Sequence, residues 1–548
     1  MASVTPPDNG PIADRLDALA ALLELAGASP YSARAYRRAA DLIRSTPAPV
    51  AELVRAGRAR ELRGIGPSIE ARLRELVETG ELAELRELEQ EVAPELVALG
   101  RLLGVGPARM VEVGRAFGAD SAAAFREAVE AGRLQEVPGI GPETERKIRA
   151  GLASLDRPRP RRGLLLGAAW ALAAGVAEAL GGEVAGDPRR WRETCERFSV
   201  VCRAADPEPL IARFASLPQI VALLERSERR ALGVTVEGVP FELVVAPPGN
   251  YGTELVRATG SADWVAGLEP LPEADDEEGV FAALGRPLLP PELREAHAPP
   301  LRGRLLELGD VRGDLHCHTT WSDGKASVLQ MGTAARERGY AYLAVCDHTR
   351  AVRVVPGLDA DELRRQGEEI GAANAELAPF TLLRGAECDI LPDGSLDLPD
   401  DVLAELEWVQ ISLHAGQRAP RRELTARVVE AMRHPAASCL SHPTGRLLNH
   451  RPPNALDLER VLEAALDTGV ALEVNGLPSR LDLRDEHVRL AREAGVPIVV
   501  STDAHSVRGL DGMRLAVATA RRGGAEPGDA LNTLPLAELR ARRSSRTP

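Results

Sequence analysis

Two rhythms of hydrophobic and polar positions divide the chain. Over residues 12–45 the apolar positions recur at helical spacing, which predicts two amphipathic helices with Tyr31, Tyr36 and Leu42 among the buried positions. From residue 311 the rhythm changes: short apolar runs of strand length alternate with longer amphipathic stretches such as 423–433, 457–468 and 485–494. The runs include Leu343-Ala344-Val345-Cys346, Leu383-Arg384-Gly385-Ala386, Val409-Gln410-Ile411-Ser412-Leu413, Cys439-Leu440-Ser441, Ala471-Leu472-Glu473-Val474 and Ile498-Val499-Val500. The first run of the series ends at His318, and each finishes on a polar residue of metal-ligand type. Seven strand–helix units of this kind predict a (β/α)7 barrel with a site on the C-terminal face of its strands.

Between these halves, residues 163–180 form an apolar run rich in Ala and Gly, preceded by Arg161 and Arg162 and carrying Glu178. At that length and polarity it predicts a buried helix and no membrane span. Residues 155–163, rich in Pro and Arg, and the Pro-rich residues 288–301 read as linkers.

The candidate chemistry begins in Gly313-Asp314-Leu315-His316-Cys317-His318, where Asp314, His316 and His318 alternate at strand period. That period puts the two imidazoles on one side of a sheet, close enough to share an ion. Asp323 follows on a loop that ends in Gly324. A lone His-x-His is as easily a polar strand end, but six of the ten histidines (316, 318, 348, 414, 442 and 505) occupy the strand ends, with Asp323, Glu387 and Asp503. The other four, His297, His434, His450 and His487, are expected to be solvated. A mixed imidazole and carboxylate set suits Zn²⁺, Mn²⁺ or Fe²⁺ better than Mg²⁺.

The N-terminal region repeats a different motif. Gly64-Ile65-Gly66-Pro67, Gly104-Val105-Gly106-Pro107 and Gly139-Ile140-Gly141-Pro142 each place a Gly-x-Gly turn before a Pro that opens a helix. Bare glycine backbone leaves the N–H groups at the helix start open to a phosphate. The pattern resembles the helix-hairpin-helix, which implies that Gly64, Gly66, Gly104, Gly106, Gly139 and Gly141 contact a DNA backbone without reading sequence. Arg63, Arg72 and Arg109 flank the turns.

Composition narrows the partners. The net charge is −14, and residues 1–150 hold 20 basic against 23 acidic residues, so any DNA contact must be local. Aromatics make up 3% of the chain, too few for extended base-stacking platforms. Six scattered cysteines form no Cys-x-x-Cys pair, and the first fifteen residues hold no apolar core. Both features fit a reducing, cytoplasmic setting without a signal peptide or membrane anchor, and DNA binding would make it nucleoid-associated.

The order of these blocks resembles the bacterial family X DNA polymerases with a C-terminal PHP (polymerase and histidinol phosphatase) domain, over nearly the whole chain. The resemblance implies a helix-hairpin-helix domain over 1–88, paired helix-hairpin-helix elements over 89–158, a nucleotidyltransferase-like palm and thumb over 164–285, and a distorted PHP barrel over 305–548. It implies three divalent ions: one on His316, His318, Glu387 and Asp503, which also carry the catalysis; one on Asp323, His348 and His505; and one on His414, His442 and the bridging Glu387. The chemistry implied is phosphoester hydrolysis, with Lys325, Arg350 or Arg446 on the substrate phosphate.

The palm departs from the family pattern. The two aspartates of its Asp-x-Asp strand fall on Arg197 and Ser199, and the third acidic position on Glu242. An arginine at a metal-ligand position repels the cation, so polymerase activity is expected to be lost. The lysine that the family uses against abasic sugars corresponds to Arg72, which stays protonated and forms no Schiff base. The expectation is a DNA-binding, metal-dependent phosphodiesterase or 3′–5′ exonuclease of DNA repair. The rivals are a small-molecule phosphatase of the histidinol-phosphate type, a retained gap-filling polymerase and a non-enzymatic DNA scaffold. Protein partners stay unspecified.

Overall fold

The computed structural model describes residues 9–25, 30–45, 50–61, 65–86, 122–136, 163–235, 239–353 and 355–544, with positions 113, 116, 145, 146, 148 and 149. At the N-terminus, helices Asn9–Leu25, Pro30–Ser45, Val50–Arg55 and Pro67–Thr79 enclose a core containing Leu16, Leu19, Tyr36, Ile43, Val54, Ile69 and Leu73. The two helices expected over 12–45 are present, with Tyr36 buried and Leu42 at the edge of the core. Gly66 caps helix Pro67–Thr79 with an extended backbone and no side-chain cap, and Pro67 follows as the first helical residue. The other hairpin glycines, Gly64, Gly104, Gly106, Gly139 and Gly141, and the side chain of Tyr31, lie outside the described residues. Arg72 is held by Glu75 at 3.1 Å and Glu84 at 2.5 Å.

The palm is an α/β layer. Its strands are β1 (Leu164–Leu165), β2 (Glu183–Gly186), β3 (Thr194–Cys195), β4 (Phe198–Arg203), β5 (Ile220–Arg226), β6 (Arg230–Thr235) and β7 (Pro240–Ala246). Five of them form one sheet in the order β2-β4-β7-β6-β5, with β4 and β7 parallel. Alternation along the strands sends Phe198, Val200, Phe241 and Leu243 toward helices Leu166–Leu180 and Glu208–Ala215. Val201 and Val244 meet helix Tyr251–Thr259 on the opposite face. The apolar run expected to be a buried helix is helix Leu166–Leu180, and no helix among the described residues is long and apolar enough to cross a membrane.

The C-terminal half is the (β/α)7 barrel. Strands β8 (Gly313–Cys317), β9 (Tyr342–Val345), β10 (Thr381–Asp389), β11 (Trp408–Ser412), β12 (Cys439–Leu440), β13 (Ala471–Asn475) and β14 (Ile498–Ser501) run parallel in sequence order. Their ends close the ring: the Asp503 N–H donates to the His316 carbonyl at 3.0 Å, and the His318 N–H donates to that of Ala504 at 2.9 Å. Leu343, Val345, Leu472, Val474, Ile498 and Val500 pack outward against the helices. Leu315, Tyr342, Leu383, Trp408, Cys439, Ala471 and Val499 fill the interior as an apolar floor. Beyond that floor, the inward positions become polar.

Two expectations are corrected here. Residues 288–301 are no loose linker. Leu293 and Arg294 are buried, Arg294 pairs with Glu277, and Glu292 pairs with Arg521 of the barrel at 2.6 Å. Glu295 meets Arg190 of the palm at 2.9 Å and Arg522 of the barrel at 3.4 Å, so the segment straps the two domains together. Of the four histidines expected in solvent, His297 and His450 are exposed. His434, half-buried, instead reaches Asp400 at 3.2 Å, and His487, also half-buried, leaves Nδ1 without a hydrogen-bond partner among the described residues.

Candidate metal centre

The side chains expected as ligands converge at the mouth of the barrel. The imidazoles of His316, His318, His348, His414 and His442 form a ring, with successive centroids 5.1, 4.4, 5.2 and 5.4 Å apart and 6.2 Å from His442 back to His316. His505 stacks on His318 at 4.2 Å. Glu387 stands at the centre. Its Oε1 lies 2.8 Å from His442 Nε2 and 3.5 Å from His414 Nε2. Its Oε2 lies 2.9 Å from His348 Nδ1, 3.5 Å from His316 Nε2 and 3.6 Å from His318 Nε2.

Three groups of donor atoms each lie within 4.8 Å of one another: His318, Asp323, His348 and His505; His316, His318 and Asp503; and His348, Glu387 and His414. The grouping differs in detail from the expected one. His318 stands in two groups, His348 joins Glu387 and His414, and His442 reaches the centre through Glu387 Oε1.

Each donor has a local reason for its place. The alternation expected for Asp314, His316 and His318 is broken by a register irregularity between Asp314 and Cys317. Leu315 therefore joins the floor while His316 and His318 face the mouth, and Asp314 turns away. Its carboxylate accepts from the Thr502 Oγ1 at 2.5 Å and the Thr502 N–H at 3.2 Å, and burial raises its pKa to about 6. A Cβ on Gly324 would stand 2.6 Å from the His318 carbonyl oxygen, so glycine lets the loop fold back and present Asp323. Asp347 pins the same loop through the Thr319 Oγ1 at 2.6 Å and the Ser322 Oγ at 2.5 Å. His442 and Asp503 sit at positive φ, 24° and 53°, a backbone cost that recurs at functional sites.

The atoms fit divalent cations. Among the described residues, His318 Nδ1, His348 Nδ1 and Glu387 Oε2 are buried without an aligned hydrogen bond, although the last two lie 2.9 Å apart, an expensive state for polar atoms. Neighbouring groups orient the imidazoles. His316 Nδ1 is 2.6 Å from Glu473 Oε1, which turns the Nε2 lone pair toward the centre. His505 Nδ1 donates to the Asp503 carbonyl at 2.8 Å, and His414 Nδ1 meets Asp389 at 3.2 Å. Burial and the adjoining His348 ring push the His318 pKa down to about 4, so the imidazole is neutral at physiological pH. Burial opposes ionisation of Glu387 and Asp503, but the surrounding imidazoles prevail and hold both well below the usual carboxylate range. Asp323, His505 and His414 remain 24, 32 and 15% exposed, so the cluster opens to solvent on their side.

Sequence reading did not assign Glu473, Asp389 and Asp347, whose work is to hold other side chains. Glu473 sits in one of the recognised strand ends, and its parity with Asn475 was the available signal. Of the cations expected on substrate, Arg350 pairs with Asp359 at 2.6 Å, and Arg446 is buried and pairs with Glu193 of the palm at 2.6 Å. Lys325 is exposed.

The palm cleft, of about 770 Å³, holds the other expected acidic site. Arg197, Ser199 and Glu242 line it together. Ser199 pairs with Glu242 across β4 and β7, and its Oγ donates to Glu242 Oε2 at 3.4 Å. Arg230 pairs with Glu242 Oε1 at 3.0 Å.

Comparison with known proteins agrees with this layout. The family described as "Helix-hairpin-helix domain" matches residues 7–82, and "SAM-like Helix-hairpin-helix tandem" matches 96–154. A "DNA polymerase/3'-5' exonuclease PolX" of Bacillus subtilis (strain 168) is 33% identical over 564 residues, covering 96% of this chain and 97% of the relative. A "Probable phosphatase" of Acetivibrio thermocellus is 29% identical over 201 residues, 35% of this chain and 78% of the relative. Another, of Aliivibrio fischeri, is 29% identical over 220 residues, 37% of this chain and 82% of the relative. Hairpin domains, palm and histidine-lined barrel, with likeness to one relative along almost the full length of both chains, make this chain a member of the bacterial family X DNA polymerases with a C-terminal PHP domain.

Proposed function

We propose that the chain is a DNA-bound, metal-dependent phosphodiesterase that trims 3′ ends in DNA repair, and that its palm does not polymerise. One observation carries the reading: nine imidazole and carboxylate side chains converge at the barrel mouth, and three of their buried atoms have no hydrogen-bond partner among the described residues. His316, His318, Asp323, His348, Glu387, His414, His442, Asp503 and His505 would hold three ions of Mn²⁺, Zn²⁺ or Fe²⁺, with His316, His318, Glu387 and Asp503 nearest the chemistry. Such ions supply Lewis-acid charge for the phosphoryl oxygens and activate water. The protein's own part is to keep His318 neutral, Glu387 and Asp503 ionised and the imidazoles aimed inward. The exonuclease activity named for the Bacillus relative and the phosphatase names of the others support phosphoester hydrolysis. The hairpin domains support a DNA backbone as the partner, gripped without reading sequence through Gly64, Gly66, Gly104, Gly106, Gly139 and Gly141.

For the palm, Arg197 and Ser199 at the aspartate positions and the Arg230–Glu242 pair support loss of nucleotidyl transfer. The test is a nuclease assay on gapped, 3′-phosphorylated and abasic duplexes, with each metal returned to chelated protein. Release of 3′ nucleotides is expected with Mn²⁺, and no release with any metal would overturn the reading. A second reading, a small-molecule phosphatase, draws on the phosphatase relatives that match only about a third of the chain. It predicts monoester hydrolysis that survives deletion of residues 1–150.

A further inference from the structure

Beyond β13 the chain runs through residues 476–482, a loop shared by barrel and palm. Its two central residues face opposite ways. Leu481 is fully buried and packs in the palm core with Leu448 and Leu515. Its neighbour Arg480 faces the metal centre, with Nε 3.8 Å from Asp503 Oδ2. Both Nε and Nη1 of Arg480 are buried and have no hydrogen-bond partner among the described residues. Asp503 does not satisfy them, because 3.8 Å is beyond hydrogen-bond range; its Oδ2 accepts instead from the Asn475 Nδ2 at 3.0 Å.

The loop is held by the neighbouring barrel segment 446–448, which the palm engages in turn. Arg446 donates through Nε to the Arg480 carbonyl at 3.0 Å and through Nη2 to that of Leu481. The same Nη2 pairs with Glu193 of the palm at 2.6 Å. Pro478 lies against helix Leu166–Leu180, where a Cβ on Gly167 would come within 3.8 Å of it. The Leu448 N–H donates to the Ser479 carbonyl at 2.8 Å.

A guanidinium on a backbone held at both the Arg480 and Leu481 carbonyls, unmet at two nitrogens and set beside the metal centre, is placed to donate to phosphate oxygens. Arg446 and Arg350 are already engaged. We propose that Arg480 binds the phosphoryl oxygens of the substrate, and that the palm sets its position through Leu481 and the Glu193–Arg446 pair. Arg480 is thus a substrate-binding residue and Glu193 a positioning residue, an assignment that rests on the phosphoester-hydrolase reading. It also gives the palm a task that needs no nucleotidyl transfer.

The test uses the full chain loaded with Mn²⁺. Three quantities are measured: kcat and KM for nucleotide release from a single-stranded oligonucleotide, dTMP affinity by calorimetry, and Mn²⁺ affinity. Arg480→Gln is expected to raise KM and the dTMP Kd about tenfold or more, the loss of a charge-assisted contact, with Mn²⁺ affinity unchanged. Arg480→Lys should fall between Gln and wild type, and serves if the Gln variant fails to fold. Glu193→Gln should move KM and dTMP affinity a few-fold in the same direction. Unchanged dTMP affinity in both Arg480 variants would overturn the proposal. So would a loss of Mn²⁺ affinity at constant KM, the signature of a simple counter-ion to Asp503. Wild-type values in Glu193→Gln would overturn the part given to the palm. A wild type without nuclease or phosphatase activity would sink the hydrolase reading itself, and the dTMP titration would still decide for or against Arg480.

Discussion

The palm cleft and the barrel mouth both gather carboxylates at the ends of strands, yet they treat them in opposite ways. In the palm, Glu242 is matched by Arg230 and Ser199. Asp187 takes Arg190 and the N–H groups of Glu196 and Arg197, at 2.8 and 2.9 Å. A cation entering there would have to displace an arginine. At the barrel mouth Glu387 Oε2 and two imidazole nitrogens are buried and unmet, so a cation removes a deficit. What distinguishes the two clefts is therefore whether the protein has already satisfied its own polar atoms; counting carboxylates does not tell them apart.

That contrast can be broken most directly at His316. His316→Ala should cut Mn²⁺-dependent nucleotide release by more than the roughly 100-fold that marks the upper end for outer partners, with far-UV circular dichroism unchanged. Glu473→Gln removes the carboxylate behind His316 and should cost about 10- to 100-fold in activity or metal affinity, read by metal titration. Chelation should lower the melting temperature, and metal at 100 times its Kd should restore about 2.7 kcal/mol per bound ion. No shift on chelation would place the barrel in the same self-satisfied class as the palm.

A smaller effect concerns His487, half-buried with its pKa pushed down to about 4 by burial and by Arg484 and Arg446. The unfolded chain binds this proton below about pH 6.5, and the folded chain only near 4. Stability should therefore fall as pH drops through that window, by at most about 3 kcal/mol and less after solvent screening. His487→Asn should flatten that part of a urea-midpoint profile. Smallest of all, Arg197→Ala should leave nuclease activity within about twofold, because the residue lies in the palm cleft and outside the metal centre. Template-directed nucleotide incorporation by the wild type would erase the contrast between the two sites.

The barrel was legible because its architecture forces ligands to strand ends, where a period-two pattern exposes them: His348, Glu387, His414 and His505 all stand where that pattern puts them. Asp314 alternates with His316 and His318 in the sequence yet turns away from them, because one register irregularity puts it out of step, and no local signal in Gly313-Asp314-Leu315-His316 announces that shift. Arg480 was invisible for another reason. Its orientation is set by Leu481 in the palm core and by Arg446, contacts that span separate domains. The segment 288–301 looked like a tether because proline and exposed leucine suggest one; its buried Arg294 takes meaning only from Glu277.

The barrel is sealed where its last strand meets its first, through the Asp503 N–H on the His316 carbonyl. A ribosome translating this message therefore completes the hairpin region, which ends at residue 154, some 350 codons before the cage has its final wall at Asp503. On the proposed function, a growing chain would hold nucleic acid before it could cleave it, and a product stopped short of residue 503 would occupy DNA without hydrolysing it.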